Sequence, residues 1–144
     1  MNINIFVEKM LALYPRIARA IAHRENDYLA RGMITLPQFW TLDYLNKTGV
    51  STMTDLARYL KISRAAATGL VDRMITQGFI MRKKTLGDRR VVRIAVTAKG
   101  RAIIENIHRQ KHKSLERIFS KISSRDRAEY IRILEQVVNT VSQK

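Results

Sequence analysis

The sequence predicts a mainly α-helical fold with one small β-hairpin, its elements following the order ααααββαα. Two observations support this prediction. Apolar residues recur at helical spacing through most of the chain, and the period changes to one typical of strands only between residues 79 and 96. Capping residues, glycines and short polar breaks separate the segments, so the beginnings and ends of the helices can be placed.

The first two helices are separated by a short polar break. The first is predicted from about Ile5 to Leu29, and Pro15 inside it is expected to kink or split it, because proline has no amide hydrogen to donate. The second begins after Thr35, which forms a capping box with Gln38, and it ends near Gly49.

A short third helix and a fourth helix follow, joined by a tight turn. Thr52 is expected to cap the third helix, whose apolar stripe ends at Leu60. Ser63 is expected to cap the fourth, which runs from Arg64 to about Gln77 and ends at Gly78. Two capped helices in this arrangement form a helix-turn-helix, whose second helix fits the major groove of DNA.

The hairpin is predicted from two strands, residues 79–84 and 91–96, with a turn at Gly87 and Asp88. Residues 82–101 hold eight basic side chains and a single acidic one. A basic ribbon directly after a helix-turn-helix can reach the DNA backbone and the adjacent minor groove. The pattern therefore indicates a winged helix-turn-helix; the alternatives are an ordinary helix pair and a basic hairpin that is simply solvated.

The last two helices are predicted to begin at the caps Thr97 and Ser123. In the first of these two helices, residues 108–114 between an early and a late apolar stripe are all polar, which is typical of a helix that bridges two packed regions. Apolar residues of the final helix cover too wide an arc for one contact, which indicates burial against a second chain. We therefore expect residues 1–34 and 98–144 to form a helical dimerisation region, and residues 35–97 to form the DNA-binding region.

The predicted DNA-binding residues lie on the fourth helix and on the hairpin, called the wing. Small residues on the outward face of the helix keep that face low, so that its backbone can come close to the bases. Arg64 points toward the groove, Arg73 is expected to meet phosphate, and the one acid of the wing is expected to buttress an arginine through a charge-assisted hydrogen bond. The full set is Ser63, Arg64, Ala65, Thr68, Gly69 and Arg73 on the helix, and Arg82, Lys83, Lys84, Asp88, Arg89 and Arg90 on the wing.

Composition agrees with this prediction and excludes other classes of protein. The formal net charge of +15 points to a polyanionic partner, either nucleic acid or an anionic membrane surface. There is no cysteine, no apolar run near the ~20 residues of a membrane span and no secretory signal pattern, so we expect a cytoplasmic protein without disulfides. Because the chain has no phosphate loop, HExxH or GxSxG motif, we expect neither enzyme activity nor a cofactor.

A series of residues at characteristic spacing runs through the helix-turn-helix, the wing and the start of the next helix. They are Leu56, Ala57, Leu60, Ser63, Thr68, Val71, Gly78, Arg82, Asp88, Arg90 and Thr97 to Gly100. With these residues the chain resembles the MarR family of winged helix-turn-helix transcription regulators. Lys61 departs from the glycine that the family often has in the turn. Gly69 also departs; it costs about 1 kcal/mol of helix propensity relative to alanine and leaves the pattern of base contacts open.

The resemblance implies a triangular homodimer that is joined through its terminal helices and binds a pseudo-palindromic site. It also implies that Arg90 enters the minor groove. Members usually act as repressors, and a small anionic or phenolic ligand often releases them from DNA. The competing possibility is an architectural or RNA-binding protein that uses the same fold and binds the backbone without regard to sequence.

Two weaker patterns concern small ligands. Aromatic residues at helical spacing could line a ligand crevice between the DNA-binding part and the dimerisation helices, although such residues more often belong to a core. They are Tyr14, Phe39, Trp40 and Tyr44. His108 and His112 lie one helical turn apart, as metal ligands can, with His23 or Glu25 as a possible third ligand; a polar exposed helix is the commoner explanation, and no metal is expected.

Overall fold

The computed structural model of the chain describes residues 1–22, 32–84, 87 and 90–142. It confirms the predicted fold class, with helices and strands in the expected order and one additional short strand. The elements are α1 (Ile3–Ala22), α2 (Leu36–Thr48), β1 (Val50–Thr52), α3 (Met53–Leu60), α4 (Arg64–Thr76), β2 (Ile80–Lys83), β3 (Arg93–Val96), α5 (Ala98–Phe119) and α6 (Ser124–Ser142).

The hairpin strands pair in an antiparallel register, with Ile80 opposite Val96. Strand β1 lies on the other side of β3, so that the sheet has the order β1-β3-β2. Ser51 of β1 is opposite Ile94. The sequence did not predict β1, because three residues are too few to show a strand period.

Helix α1 continues through Pro15, so the predicted split is wrong, and the alternative of a kink stays a prediction. The ring of proline fixes a backbone angle that a helix accepts, and only one backbone hydrogen bond is lost. The predicted continuation of this helix beyond residue 22 lies outside the described residues.

All five predicted side-chain caps are present, including Thr97 before α5 and Ser123 before α6, which accept from the amides of Gly100 and Asp126. The Thr35 hydroxyl accepts a hydrogen bond from the Gln38 amide, and the Gln38 side chain accepts one from the Thr35 amide. At the start of α3, Thr52 accepts from the Asp55 amide. At the start of α4, Ser63 accepts from the Ala66 amide at 3.1 Å. These bonds satisfy amide groups that a helix leaves without partners at its first turn, and they fix where α3 and α4 begin.

The chain divides into two compact units, Met1–Arg109 and Gln110–Lys144, and the division falls within the all-polar stretch of α5. The hydrophobic core lies in the first unit and draws on α2, α3, α4, the sheet and the first turns of α5. Leu42, Leu56 and Ile104 are fully buried in it. This core holds α4 and the hairpin strands in place. None of the described helices is long and apolar enough to cross a membrane.

A tight junction connects the wing to α5 in the first unit. The Thr97 hydroxyl donates a 2.6 Å hydrogen bond to the carbonyl of Gly78 and accepts one from the Gly100 amide. A methyl group on Gly100 would overlap the carbonyl oxygen of Phe79 and lie 3.1 Å from Val96 Cγ1. Glycine is therefore needed here for the close approach of α5 to Phe79, the residue before β2.

Candidate nucleic-acid interface

Helix α4 has one buried and one open face. Ala67, Leu70, Val71 and Met74 are buried in the first unit. On the open side Arg64, Ala65 and Arg73 are exposed, and Thr68 and Gly69 are partly exposed. The predicted recognition residues therefore lie on the outward face or along its edges. An exposed helix of this length has the dimensions to enter a major groove.

The wing is joined to α4 by an ion pair. Nη2 of Arg82 on β2 lies 3.0 Å from Oδ1 of Asp72 on α4, and both side chains are more than half exposed. Lys83, Lys84 and Arg90 are exposed as well. A charge-assisted hydrogen bond between the two elements restricts the position of β2 relative to the recognition helix.

The other predicted wing residues, Asp88 and Arg89, lie outside the described residues. The buttressing of an arginine by Asp88 therefore stays a prediction.

A cleft of about 480 Å³ lies between the start of α3, α4 and the wing. Of the described residues, three arginines and no carboxylate line it; guanidinium groups stay charged throughout the physiological pH range. The lining residues are Thr52, Met53, Thr54, Arg64, Thr68, Arg82, Arg90, Val91 and Val92. The structure thus brings predicted residues of the recognition helix and of the wing to one cationic concavity, which can accept phosphate oxygens.

Residues at the start of α3 also line this cleft, and the sequence reasoning did not name them as DNA-binding residues. Thr52 was predicted only as a helix cap, which it is. The capping signal itself could have suggested the wider role, because backbone amides at a helix start are common partners of phosphate.

The four aromatic residues proposed for a ligand crevice occupy different environments. Phe39 is buried in the core. Tyr44 packs partly against the core and stacks on Tyr59, with ring centroids 4.4 Å apart. Trp40 and Tyr14 have exposed side chains. A shared crevice stays a prediction.

The two histidines of α5 each face a carboxylate. His108 Nε2 donates to Asp43 Oδ1 at 2.7 Å, and His112 Nδ1 lies 3.8 Å from Glu116 Oε2. Within the described parts of the chain, no three histidine or acidic side chains are grouped to hold a metal. His23 and Glu25, named as a possible third ligand, lie outside those parts.

Asp43 is the centre of a small polar cluster between α2 and α5. Its second oxygen accepts a 2.8 Å hydrogen bond from Lys47. Burial raises the pKa of the Asp43 carboxyl, but the hydrogen bonds from Lys47 and His108 outweigh burial, so this pKa lies below its ordinary value. The Asp43 carboxylate thus joins α2 to α5 through hydrogen bonds.

The exposed capped helix, the turn before it and the basic hairpin after it define a winged helix-turn-helix DNA-binding protein. The model of the MarR family matches residues 34–92. The multiple antibiotic resistance protein MarR of Salmonella typhimurium is 31% identical over 96 residues, which cover 67% of each chain. The chain belongs to the MarR family of transcription regulators, which are not enzymes.

Two further similarities extend over nearly the whole chain. The HTH-type transcriptional regulator YsmB of Bacillus subtilis is 28% identical over 138 residues, covering 96% of this chain and 92% of that one. The structure of a MarR family protein from Bacillus stearothermophilus superposes with a TM-score of 0.77 at 28% identity and covers 99% of each chain. The resemblance therefore includes the end helices as well as the DNA-binding region.

Proposed function

We propose that this regulator acts as a homodimer on a pseudo-palindromic DNA site and represses transcription from it. The observation that carries the proposal is the cleft in which arginines from α4, β2 and the end of the wing converge. In this arrangement α4 enters the major groove, and the arginines around the cleft hold the adjacent backbone. Arg90 of the wing reaches the neighbouring minor groove.

Exposed apolar side chains on the end helices support the homodimer. Every residue of α1 up to position 20 is exposed, and α6 contains no buried residue. A groove of about 550 Å³ runs along α6 between Ile131, Leu134 and Val138. Contiguous apolar surface of this kind marks an interface, and a second copy of the chain offers the same surfaces in a self-complementary arrangement.

Control by a small ligand is part of the proposal. An anionic or phenolic molecule in the arginine-lined cleft would compete with phosphate for the same guanidinium groups. It would then release the protein from DNA by mass action, because it binds only the DNA-free form. Because the proposed target is chromosomal DNA, the proposal includes a cytoplasmic location.

The decisive experiment measures sequence discrimination. The preferred site is selected from a random DNA pool, and affinity for that site is compared with affinity for a scrambled duplex at physiological salt. We expect a ratio of about 10³ or more. A ratio near one with a steep salt dependence would instead favour an architectural or RNA-binding role.

Two variants that each remove one positive charge test whether binding depends on the cleft. Arg90→Ala removes a cleft arginine and is expected to weaken binding to the selected site about tenfold or more. Arg125→Ala removes an exposed arginine at the start of α6 and is expected to change it less than twofold. Equal losses in the two variants would mean that binding follows total charge and not the cleft.

A further inference from the structure

Gly69 and Arg73 form a pair on the outward face of α4. They are four residues apart, so they are neighbours on the helix surface. A methyl group built on Gly69 would have one neighbouring side-chain atom within 4 Å, Nη1 of Arg73 at 3.7 Å. The guanidinium group of Arg73 therefore lies over the position that a side chain at residue 69 would occupy.

This placement follows from helix geometry. Long side chains on a helix lean toward its N-terminus and cover the preceding turn. Ala65 and Ala66 continue the low surface toward the start of α4, where the helix is expected to meet the bases. The outward face of the recognition helix thus consists of small residues here, and one guanidinium group lies across them.

Arg73 differs from Arg82, the arginine of the wing that is paired with α4. Arg82 is held by Asp72, whereas no hydrogen bond or ion pair joins the side chain of Arg73 to any other described residue. Among the described residues, therefore, nothing takes up its donors, and they can bind a ligand. Its planar fork matches the two acceptors, N7 and O6, on the major-groove edge of guanine.

We propose that Gly69 and Arg73 together determine sequence specificity: Gly69 lets α4 approach the base edges, and Arg73 lays its guanidinium group across Gly69 to read one guanine in each half-site. The inference rests on the proposed function. It replaces the sequence-based expectation that Arg73 contacts phosphate.

Arg73→Lys tests the reading of guanine, because lysine keeps the charge but lacks the bidentate fork. Affinities are measured for the selected site and for duplexes in which one G·C pair per half-site is replaced. We expect the variant to lose discrimination at one such pair by about tenfold or more and to bind random DNA as the parent does. A loss that is equal for all sequences would overturn the inference and assign Arg73 to phosphate.

Gly69→Ala tests the close approach. The added methyl group meets Arg73 only at ordinary contact distance, so the free protein accommodates it. Alanine also has the higher helix propensity, and we expect the melting temperature to rise by a few degrees. Affinity for the selected site is expected to fall about tenfold, because the methyl group takes the space between helix and bases. Unchanged or improved affinity would overturn the inference.

Thr76→Ala is the matched control for helix propensity. Thr76 is an exposed residue in the last turn of α4, away from Gly69, and its change to alanine also favours the helix. We expect stability to rise without loss of discrimination. Failure of the parent protein to discriminate between sequences would contradict the proposed function itself. If the parent discriminates between sequences and the Arg73→Lys variant discriminates equally well, only this inference is contradicted.

Discussion

The DNA-binding region and the final helix use similar apolar side chains in different ways. All members of the hydrophobic core cluster lie between residues 34 and 107. Helix α6 has seven large apolar side chains, and each is at least 40% exposed. Residues 3–20 of helix α1 are exposed in the same way. One part of the chain is thus stabilised by its own core, whereas the end helices have exposed apolar surface that the proposed homodimer would bury.

Leu134→Asp is expected to have the largest effect on this comparison. The aspartate would place a charge in the proposed dimer interface twice, once from each copy, at a cost of about 3 kcal/mol or more for each unpaired charge. We expect sedimentation at micromolar concentration to show a monomer with near-parental helix content. The control is Leu36→Asp, which changes the exposed first residue of α2 and should leave the dimer intact. A Leu134→Asp protein that still sediments as a dimer would refute the interface.

Leu42→Ala is expected to have the next largest effect, on folding. Leu42 is fully buried, so its truncation should lower the free energy of unfolding by about 3 kcal/mol through lost burial and a cavity. Urea unfolding is measured in the Leu134→Asp background, where dimerisation does not contribute. In the same background Leu11→Ala, at a residue 66% exposed in α1, should cost less than about 0.5 kcal/mol. Similar costs for both would remove the distinction between the two regions.

Gly100→Ala tests the junction between the wing and α5. The new methyl group would overlap the backbone carbonyl of Phe79, which cannot move as a flexible side chain can. We expect a loss of about 2 kcal/mol in urea unfolding. Gly69→Ala, the same substitution at an open position, should change stability in the opposite direction. A neutral Gly100→Ala variant would show that α5 can shift away from the wing at little cost.

Asp43→Asn is expected to have the smallest effect and to depend on pH. Because the pKa of Asp43 is lowered in the folded protein, its charged form stabilises the fold above the ordinary carboxyl pKa of about 4. This contribution is lost as the pH falls through the lowered folded value. We expect Asp43→Asn to cost about 1 kcal/mol at pH 7 and progressively less as the pH is lowered below the ordinary carboxyl pKa, measured by urea unfolding. A cost that does not change with pH would contradict the role of the charge.

Local signals in the sequence were enough for the helices and their caps. The hydroxyl groups of Thr35, Thr52 and Ser63 each accept a hydrogen bond from a backbone amide three residues later, and the structure confirms all three predicted caps. Strand β1 was missed because it depends on pairing with residues more than forty positions away, such as Ser51 with Ile94. A three-residue strand has no period of its own that a sequence pattern can reveal.

The candidate site was predicted by residue type and not by arrangement. The basic residues of α4 and of the wing were named, but the ion pair between Asp72 and Arg82 joins two elements and has no local signature. The position of the Arg73 guanidinium over Gly69 depends on a side-chain conformation. Sequence pattern indicates which face of a helix is open, and the structure is needed to say what occupies that face.

The most direct test of the account is a hydroxyl-radical footprint on the selected DNA site at physiological salt. Two copies of α4 on one dimer predict two protected half-sites related by two-fold symmetry, with centres about 10 base pairs, or one helical turn, apart. The Leu134→Asp variant should lose this pattern at the same protein concentration. Uniform protection along the fragment, or a single protected half-site with the parental protein, would contradict binding by a sequence-specific homodimer.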